Sequence, residues 1–385
     1  MKYYIIAGEA SGDRYGGRLM SSLYAADPAA DIRFWGGPAM EKAFRKGGDG
    51  TGKVQDYREG AVMGLGNVLR KAGTLLGRIR RCKSDLEAWG PDAVILIDYP
   101  GFNLRIARFA RRKGRKVFYY IAPKTWASRE GRIRALRRNV DRLLVIFPFE
   151  EEYFRKKGVN AFYTGNPLLD APAPSENRET FLRRCGLPDG KYIALLPGSR
   201  EAELETMLPP LAGAADVLRG EGWHFVVAGA PGCGEDAYAA LLKGREDFVF
   251  LRFDETVGIL RHAEAAVVNS GTASLEAALA GVPQVVGYRM DALTWRLAKR
   301  LVKVRWISLP NLLLGREAVK ELLQDALTAE ALENELRRLT GDEALRERMR
   351  ADSAALHALL GGPGAADTAA RTIVSTVFDG TMNGK

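Results

Sequence analysis

Histidine and cysteine are scarce in this chain, with three of each among 385 residues. Cys82, Cys185 and Cys233 are odd in number, far apart and in no metal-ligand spacing. That excludes a disulfide framework and points to a reducing, cytoplasmic setting. His224 sits early in a strand-like run, while His262 and His357 sit on helix-like stretches. None follows a strand, so a carboxylate is the better candidate for a general base. No apolar run approaches the roughly 18 residues that a membrane-spanning helix needs. The opening Met1–Ala7 is too short for a signal peptide and reads as a first strand. There is no Asp-x-Asp pair of the kind metal-dependent transferases use, which favours metal-free and cofactor-free catalysis.

What is present is an ordinary globular composition, 46% hydrophobic and 27% charged, in a chain long enough for two domains. The charge is unevenly shared. Residues 1–165 carry 32 Lys/Arg and 17 Asp/Glu, a net of +15, and the remainder carries 25 and 30, a net of −5. A basic half joined to an acidic half suggests that one domain faces an anionic partner: nucleic acid, anionic lipid or a phosphorylated substrate. A merely solvated basic surface is the competing reading.

Short apolar runs alternate with longer amphipathic stretches, the pattern of parallel sheets flanked by helices. The first set of strand candidates is Tyr3–Ala7, Ile32–Trp35, Ala93–Asp98, Val117–Ile121, Leu143–Phe147 and Ala161–Tyr163. Linker composition follows at Asp170-Ala171-Pro172-Ala173-Pro174-Ser175. A second set comprises Tyr192–Leu196, His224–Ala228, Phe248–Leu251, Ala265–Asn269 and Gln284–Tyr288, and from Glu317 onward the pattern is mostly helical. The expected architecture is α/β, with two doubly wound Rossmann-like domains facing a cleft. The expected division is residues 1–170, residues 171–360, and a final helix within 361–385 packing back on an N-terminal domain. Ligands in such folds sit beyond the carboxyl ends of strands.

Most of the motifs lie just after strands. Gly8-Glu9-Ala10-Ser11-Gly12-Asp13 follows the first. Its glycines permit a tight turn and close backbone approach, and Ser11 and Asp13 can cap the next helix. Glu9 has no structural need to be a carboxylate there. Gly47 to Val54 nearly spells a phosphate loop, but Val54 stands where Ser or Thr should be, so a loose loop is expected. Asp98 ends an apolar strand and precedes Tyr99-Pro100-Gly101-Phe102-Asn103. Desolvation there raises a carboxylate's pKa toward the range useful to a general base, the competing reading being an Asp that only bonds its turn. Pro197-Gly198-Ser199-Arg200 is a strand, glycine turn and helix start, suited to an anion, with Arg200 able to grip a diphosphate. Ser270-Gly271-Thr272 opens another helix in the same manner, and Glu276 lies one turn further in, where it can accept from ribose hydroxyls. Two phosphate-type turns in one domain point to a nucleotide diphosphate leaving group.

Residues 62–83 differ in character. Val62, Leu65, Leu69, Ala72, Leu76 and Ile79 recur at helical spacing among Arg70, Lys71, Arg78, Arg80, Arg81 and Lys83. A basic amphipathic stretch of this kind can lie on an anionic membrane surface, or pack inward with its charges solvated. Further basic clusters at residues 111–116 and 132–138 bring the membrane reading level with the inward-packing one.

Taken together these segments resemble the lipid-A-disaccharide synthases, a family of GT-B-fold glycosyltransferases. The resemblance runs in order through Ala7–Asp13, Val62-Met63-Gly64, Asp98 with Phe102-Asn103, Pro148-Phe149-Glu150 and Leu195–Arg200. It continues through Ser270-Gly271-Thr272, Val286–Arg289, Leu297–Lys303, Ser308-Leu309-Pro310-Asn311 and Glu317–Gln324. It implies an inverting transfer that joins UDP-2,3-diacylglucosamine to 2,3-diacylglucosamine 1-phosphate, giving a β-1,6 disaccharide and UDP, with no nucleic acid involved. It implies Asp98 as the catalytic carboxylate. Arg200, Ser199, Ser270, Gly271, Thr272, Glu276 and Asn311 fall at the donor, in the second domain. Glu9, Ser11, Met63, Asn103 and Trp126 fall at the acceptor, in a membrane-facing first domain. It further implies a peripheral location on the inner face of the inner membrane, and leaves open a homodimer made by exchanging C-terminal segments. The chain departs from the family pattern at Gly101, where a second Asp is frequent, at Lys124 and Thr125, where Ser and Val are frequent, and at Ser128, where Trp is common. Two other readings stand beside it: a UDP-hexosamine epimerase of the same fold, and a non-enzymatic nucleic-acid binder.

Overall fold

Tyr3–Ala7, Ala93–Ile97, Tyr192–Leu196 and Ala265–Asn269 are buried at every position, as strands covered by helices on both faces must be. The computed structural model describes residues 1–47, 52–57, 68–171, 176–230, 232–291, 295–296 and 304–382. The chain divides into two units, one of residues 1–171 with the C-terminal stretch from Leu360, the other Pro172–Leu359.

Among the described residues the first unit holds seven strands: β1 (Lys2–Ala7), β2 (Asp31–Gly36), β3 (Lys53–Asp56), β4 (Ala93–Ile97), β5 (Lys116–Tyr120), β6 (Arg142–Val145) and β7 (Ala161–Tyr163). They form one sheet in the order β3-β2-β1-β4-β5-β6-β7, parallel throughout. The second holds β8 (Tyr192–Leu196), β9 (His224–Gly229), β10 (Val249–Phe253), β11 (Ala265–Asn269), β12 (Gln284–Tyr288) and β13 (Lys320–Leu323), in the order β10-β9-β8-β11-β12-β13 and again parallel. Each sheet is doubly wound. Its strand order reverses between two neighbours, β1 and β4 in one unit, β8 and β11 in the other, and a crevice opens beyond their carboxyl ends.

Two strands were not expected. β3 takes up the last two residues of the expected loose loop, Lys53 and Val54, and Gly52 before it is tightly packed: a Cβ there would meet the Ile32 carbonyl and the Phe44 ring at 2.4 Å. β13 interrupts the helical run expected after Glu317. Both are polar edge strands, so neither carries the apolar run that marks a central strand.

The helix Ala365–Met382 packs on the helix Ala10–Ala26, with Ser22 Oγ donating to Asp367 at 2.6 Å. Asp170 caps its N-terminus, accepting from the backbone N–H groups of Gly364, Ala365 and Ala366 at 2.6, 3.0 and 2.9 Å. The helix Val68–Trp89 takes up the later part of the amphipathic stretch. Ile79, Cys82 and Leu86 turn into the core beside Phe102 and Ile106, whereas Leu76 is 62% exposed. The earlier apolar positions, Val62 and Leu65, lie outside the described residues. The cluster at residues 111–116 lies before β5, at the amino edge of the sheet, where Arg111 pairs with Asp141 at 2.6 Å and Lys113 with Glu87.

Candidate active site

At the first switch point the chain leaving β1 meets the chain leaving β4. A Cβ on Gly8 would stand 2.3 Å from the Tyr99 ring, so only glycine lets that ring close over the turn. β4 ends at Ile97, one residue earlier than expected, and Asp98 and Tyr99 follow with φ of 44° and 48°. Two successive non-glycine residues in the left-handed region store strain of about 1–2 kcal/mol each. Ile121, directly after neighbouring β5, is β-branched and has φ of 65°. Strain at adjacent strand ends is the mark of a site whose geometry is imposed by its surroundings.

Asn103 does much of the imposing. It is fully buried, and its Nδ2 donates to the carbonyls of Ile97 at 3.1 Å and Asp98 at 2.7 Å. Tyr119 Oη donates to the same Asp98 carbonyl at 2.5 Å, and the Asp98 N–H donates to the Tyr120 carbonyl at 3.1 Å. The peptide of Asp98 is thus held from three sides while its half-buried carboxylate lies beyond the strand. Asn103, assigned to the acceptor by resemblance, lies behind Asp98 and braces it. Ser11 and Asp13 do not cap the helix that begins at Ala10, because they lie inside it. Buried Asp13 instead accepts from the N–H groups of Gly37, Ala39 and Met40 at 2.6, 2.9 and 3.1 Å, anchoring the start of the next helix, Pro38–Gly47. Glu9 is exposed at the mouth of the turn, and Met63 lies outside the described residues.

The loops after β5 and β6 extend this edge. Glu150 is 1% exposed and accepts from Trp126 Nε1 at 2.9 Å and from the N–H groups of Ile146 and Phe147 at 3.3 and 3.2 Å. Burial pushes its carboxyl up to about 7, against the pull of those donors and of the Lys124 charge. Trp126 meets Phe149 edge-on, ring centres 5.3 Å apart, and Phe149 stacks on Phe147 at 5.9 Å. Lys124 keeps accessible surface yet is crowded by protein. Desolvation pulls its ammonium below the usual lysine value, while Asp98 and Glu150 oppose the shift.

At the second switch point the turn after β8 includes Gly198, with φ of 143°. A Cβ there would meet Glu203 and Asn269 within 2.9 Å. The helix starts at Glu201, which makes Arg200 its N-cap residue and leaves Ser199 outside. The Ser199 N–H donates to Glu203 Oε2 at 2.9 Å, and exposed Arg200 pairs with Glu203 Oε1 at 3.3 Å. The N–H expected to face a phosphate is therefore held by the helix's own carboxylate, a third-position residue reaching back as in a capping box. Asn269, at the end of β11, donates to Pro197 O at 3.1 Å and Glu203 Oε2 at 3.3 Å, tying the two strand ends together. Beyond it, Gly271 has φ of 117° and open space where a Cβ would be, and Thr272 starts the next helix exposed. Ser270 and Glu276 are half-buried beside it.

Asn311 lies in the helix Leu309–Leu314, which packs on the helix that Thr272 starts. It is fully buried, donating to Val319 O at 2.8 Å and Glu321 Oε1 at 3.0 Å and accepting from the N–H groups of Ala318 and Val319 at 2.7 and 2.8 Å. Every polar atom of its amide is used to shape the Ser308–Leu314 turn, which touches the helix at Thr272 through Leu309 N–H and Ser274 Oγ at 3.3 Å. Sequence reasoning missed Glu203, Glu150 and Tyr119. Glu203 and Glu150 left the same signal, the third position after a helix start, and Glu150 also closes the Pro148-Phe149-Glu150 segment of the resemblance.

Residues 3–363 match the family described as lipid-A-disaccharide synthetase. The lipid-A-disaccharide synthase of Trichlorobacter lovleyi is 37% identical over 376 residues, 97% of each chain. That of Myxococcus xanthus is 37% identical over 381 residues, 98% of each. Among solved structures, the glycotransferase of kitacinnamycin superposes with a TM-score of 0.64 at 16% identity, over 98% of this chain and 99% of that one. The UDP-GlcNAc 2-epimerase of Methanocaldococcus jannaschii, in complex with UDP-GlcNAc and UDP, gives 0.62 at 13% identity over 97% and 100%. At such identities these two share the fold and nothing finer.

Proposed function

We propose, from the premise that the chain belongs to the lipid-A-disaccharide synthase family, that Asp98 is the general base of its glycosyl transfer. The chain is a glycosyltransferase of lipid A assembly, and the likeness to epimerases is one of fold alone. Asp98 removes the proton of the 6-hydroxyl of 2,3-diacylglucosamine 1-phosphate. The oxygen attacks the anomeric carbon of UDP-2,3-diacylglucosamine, and the bond to the UDP oxygen breaks with its electron pair leaving on the diphosphate. Attack opposite the leaving group inverts the centre and gives the β-1,6 linkage. The observation that carries the assignment is the strained Asp98–Tyr99 turn at the switch point, braced by Asn103 and Tyr119.

Charge on the departing diphosphate falls to Arg200 and the open helix start at Gly271–Thr272, with Glu276 toward the ribose. A diphosphate gripped by Arg200 displaces the Glu203 carboxylate from its place beside that side chain. Peripheral attachment to an anionic membrane on the inner face of the inner membrane belongs to the same proposal. Exposed Leu76, Arg80 and Arg81 on one helix support it, and no described helix is long and apolar enough to cross a membrane. Co-sedimentation with anionic vesicles that weakens with salt is expected, and a protein that stays in the supernatant at low salt removes that part.

The decisive test is UDP release from UDP-2,3-diacylglucosamine in EDTA, with and without the acylated sugar phosphate. Acceptor-dependent release with a new disaccharide is expected. Asp98→Asn should lower kcat by about 10²–10⁴-fold. Turnover near that of the parent would remove Asp98 as the base.

A further inference from the structure

Two cations at the edge that carries Asp98 have no partner among the described residues. Lys124 lies in the loop after β5, and Arg132 ends the short 3-10 turn Glu130–Arg132 that follows. Neither side chain makes a hydrogen bond or ion pair with a described residue. Arg111, Lys113, Arg155, Lys156 and Lys157 of the same unit are paired, while Arg129, Arg134, Arg137 and Arg138 resemble Lys124 and Arg132 in making no hydrogen bond or ion pair with a described residue. Both feel the Asp98 carboxylate, Lys124 also feels Glu150, and Arg132 is opposed by neighbouring Arg129. Both are held below their usual values chiefly by desolvation. Lys124 and Arg132 thus share the Asp98 carboxylate, with the Glu150 carboxyl beside Lys124, and both side chains keep donors that no described residue accepts from.

We propose that Lys124 and Arg132 form the subsite for the phosphate monoester of the acceptor sugar, with the Trp126–Phe149 aromatic pair as its wall. The inference rests on the reading of Asp98 as the base for that acceptor. In a displacement with inversion the leaving diphosphate lies opposite the attacking hydroxyl, so cations beside the base serve the acceptor and not the donor. In a glucosamine 1-phosphate the phosphate stands across one sugar ring from the 6-hydroxyl, close enough for one patch to hold both. A dianionic phosphate supplies the acceptor oxygens that the ammonium and guanidinium lack, through charge-assisted bonds. Glu150 fixes the wall: its bond to Trp126 Nε1 at 2.9 Å sets the indole against Phe149, which is 37% exposed.

The test compares two acceptors on the full chain, 2,3-diacylglucosamine 1-phosphate and the same sugar capped as its 1-O-methyl glycoside. The phosphate preference is the ratio of their kcat/KM values, and it does not depend on how much of a variant is folded. Lys124→Met and Arg132→Met should each reduce that ratio at least about tenfold by raising KM for the phosphorylated acceptor. KM for the UDP-sugar should stay within about twofold, and Lys124→Arg should restore most of the preference. An unchanged ratio, or a rise in donor KM in place of acceptor KM, overturns the subsite. If the parent releases no UDP in response to either acceptor, the functional reading fails instead, so the two failures are told apart.

Discussion

Replacing Asn103 by Ala should uncouple the candidate base from its scaffold without touching substrate. The side chain is fully buried, and its amide bonds two backbone carbonyls at 3.1 and 2.7 Å. Removing it strips the Ile97 carbonyl of that donor and leaves the Asp98 carbonyl to Tyr119 alone. At about 1–3 kcal/mol for each buried group left short of a partner, the stability loss should be about 2–4 kcal/mol. The turn it braces stores strain of similar size, since Asp98 and Tyr99 both have positive φ. If about 2 kcal/mol of bracing is lost, relaxed turn conformers dominate and the productive one falls about thirtyfold. The expectation is a kcat lowered about thirtyfold with acceptor KM little changed, read from UDP release on protein shown to be folded. A double-mutant cycle decides whether the effect passes through Asp98. In an Asp98→Asn background, Asn103→Ala should cost almost nothing further in kcat. Full additivity of the two losses would refute the reasoning, and so would a parent-like kcat in the single variant.

Three further outcomes are expected. Arg200→Ala should weaken UDP binding about tenfold by calorimetry, since one charge-assisted contact is lost; unchanged affinity would remove Arg200 from the donor site. Asn311→Ala should lower stability by about 2–4 kcal/mol in urea unfolding, because it deletes three buried hydrogen bonds and one part-buried one; an unchanged midpoint would contradict that account. Glu150 supplies a pH signature. Its folded carboxyl, about 7 against an ordinary 4.5, binds its proton more tightly than the unfolded chain does. Its stabilising contribution is therefore complete below about 4.5 and is lost as pH rises through about 7, a difference of ~3 kcal/mol. Glu150→Gln should flatten stability between pH 5 and 8 by about that amount, and parallel pH profiles for parent and variant would refute it.

The central strands were legible because a strand covered on both faces must be apolar at every residue, and that constraint is written locally. β1, β4, β8 and β11 all show it. β3 and β13 escaped because an edge strand bonds on one side only and tolerates Lys53, Gln55, Lys320 and Glu321. The glycine turns and helix starts after the strands were legible for the same local reason, since each needs a residue of special backbone freedom at a defined place.

Tertiary structure decided which of those turns became neighbours. Strand order is a long-range property, and nothing in residues 2–13 says that β4, some 90 positions later, will lie beside β1 and close Tyr99 over Gly8. It also decided the partners of polar side chains. Asp13 reads as a cap for its own helix and anchors another. Asn103 and Asn311 read as ligand contacts; in the structure Asn103 Nδ2 bonds two buried carbonyls, Asn311 bonds backbone groups and Glu321, and Glu203 takes the N–H that a phosphate was expected to find. A short polar side chain bonds whatever the fold brings within about 3 Å, and that choice is made only when distant segments pack. Residue types and local spacing therefore announced where chemistry could occur, and packing determined which groups hold the site in place and which remain to meet a substrate.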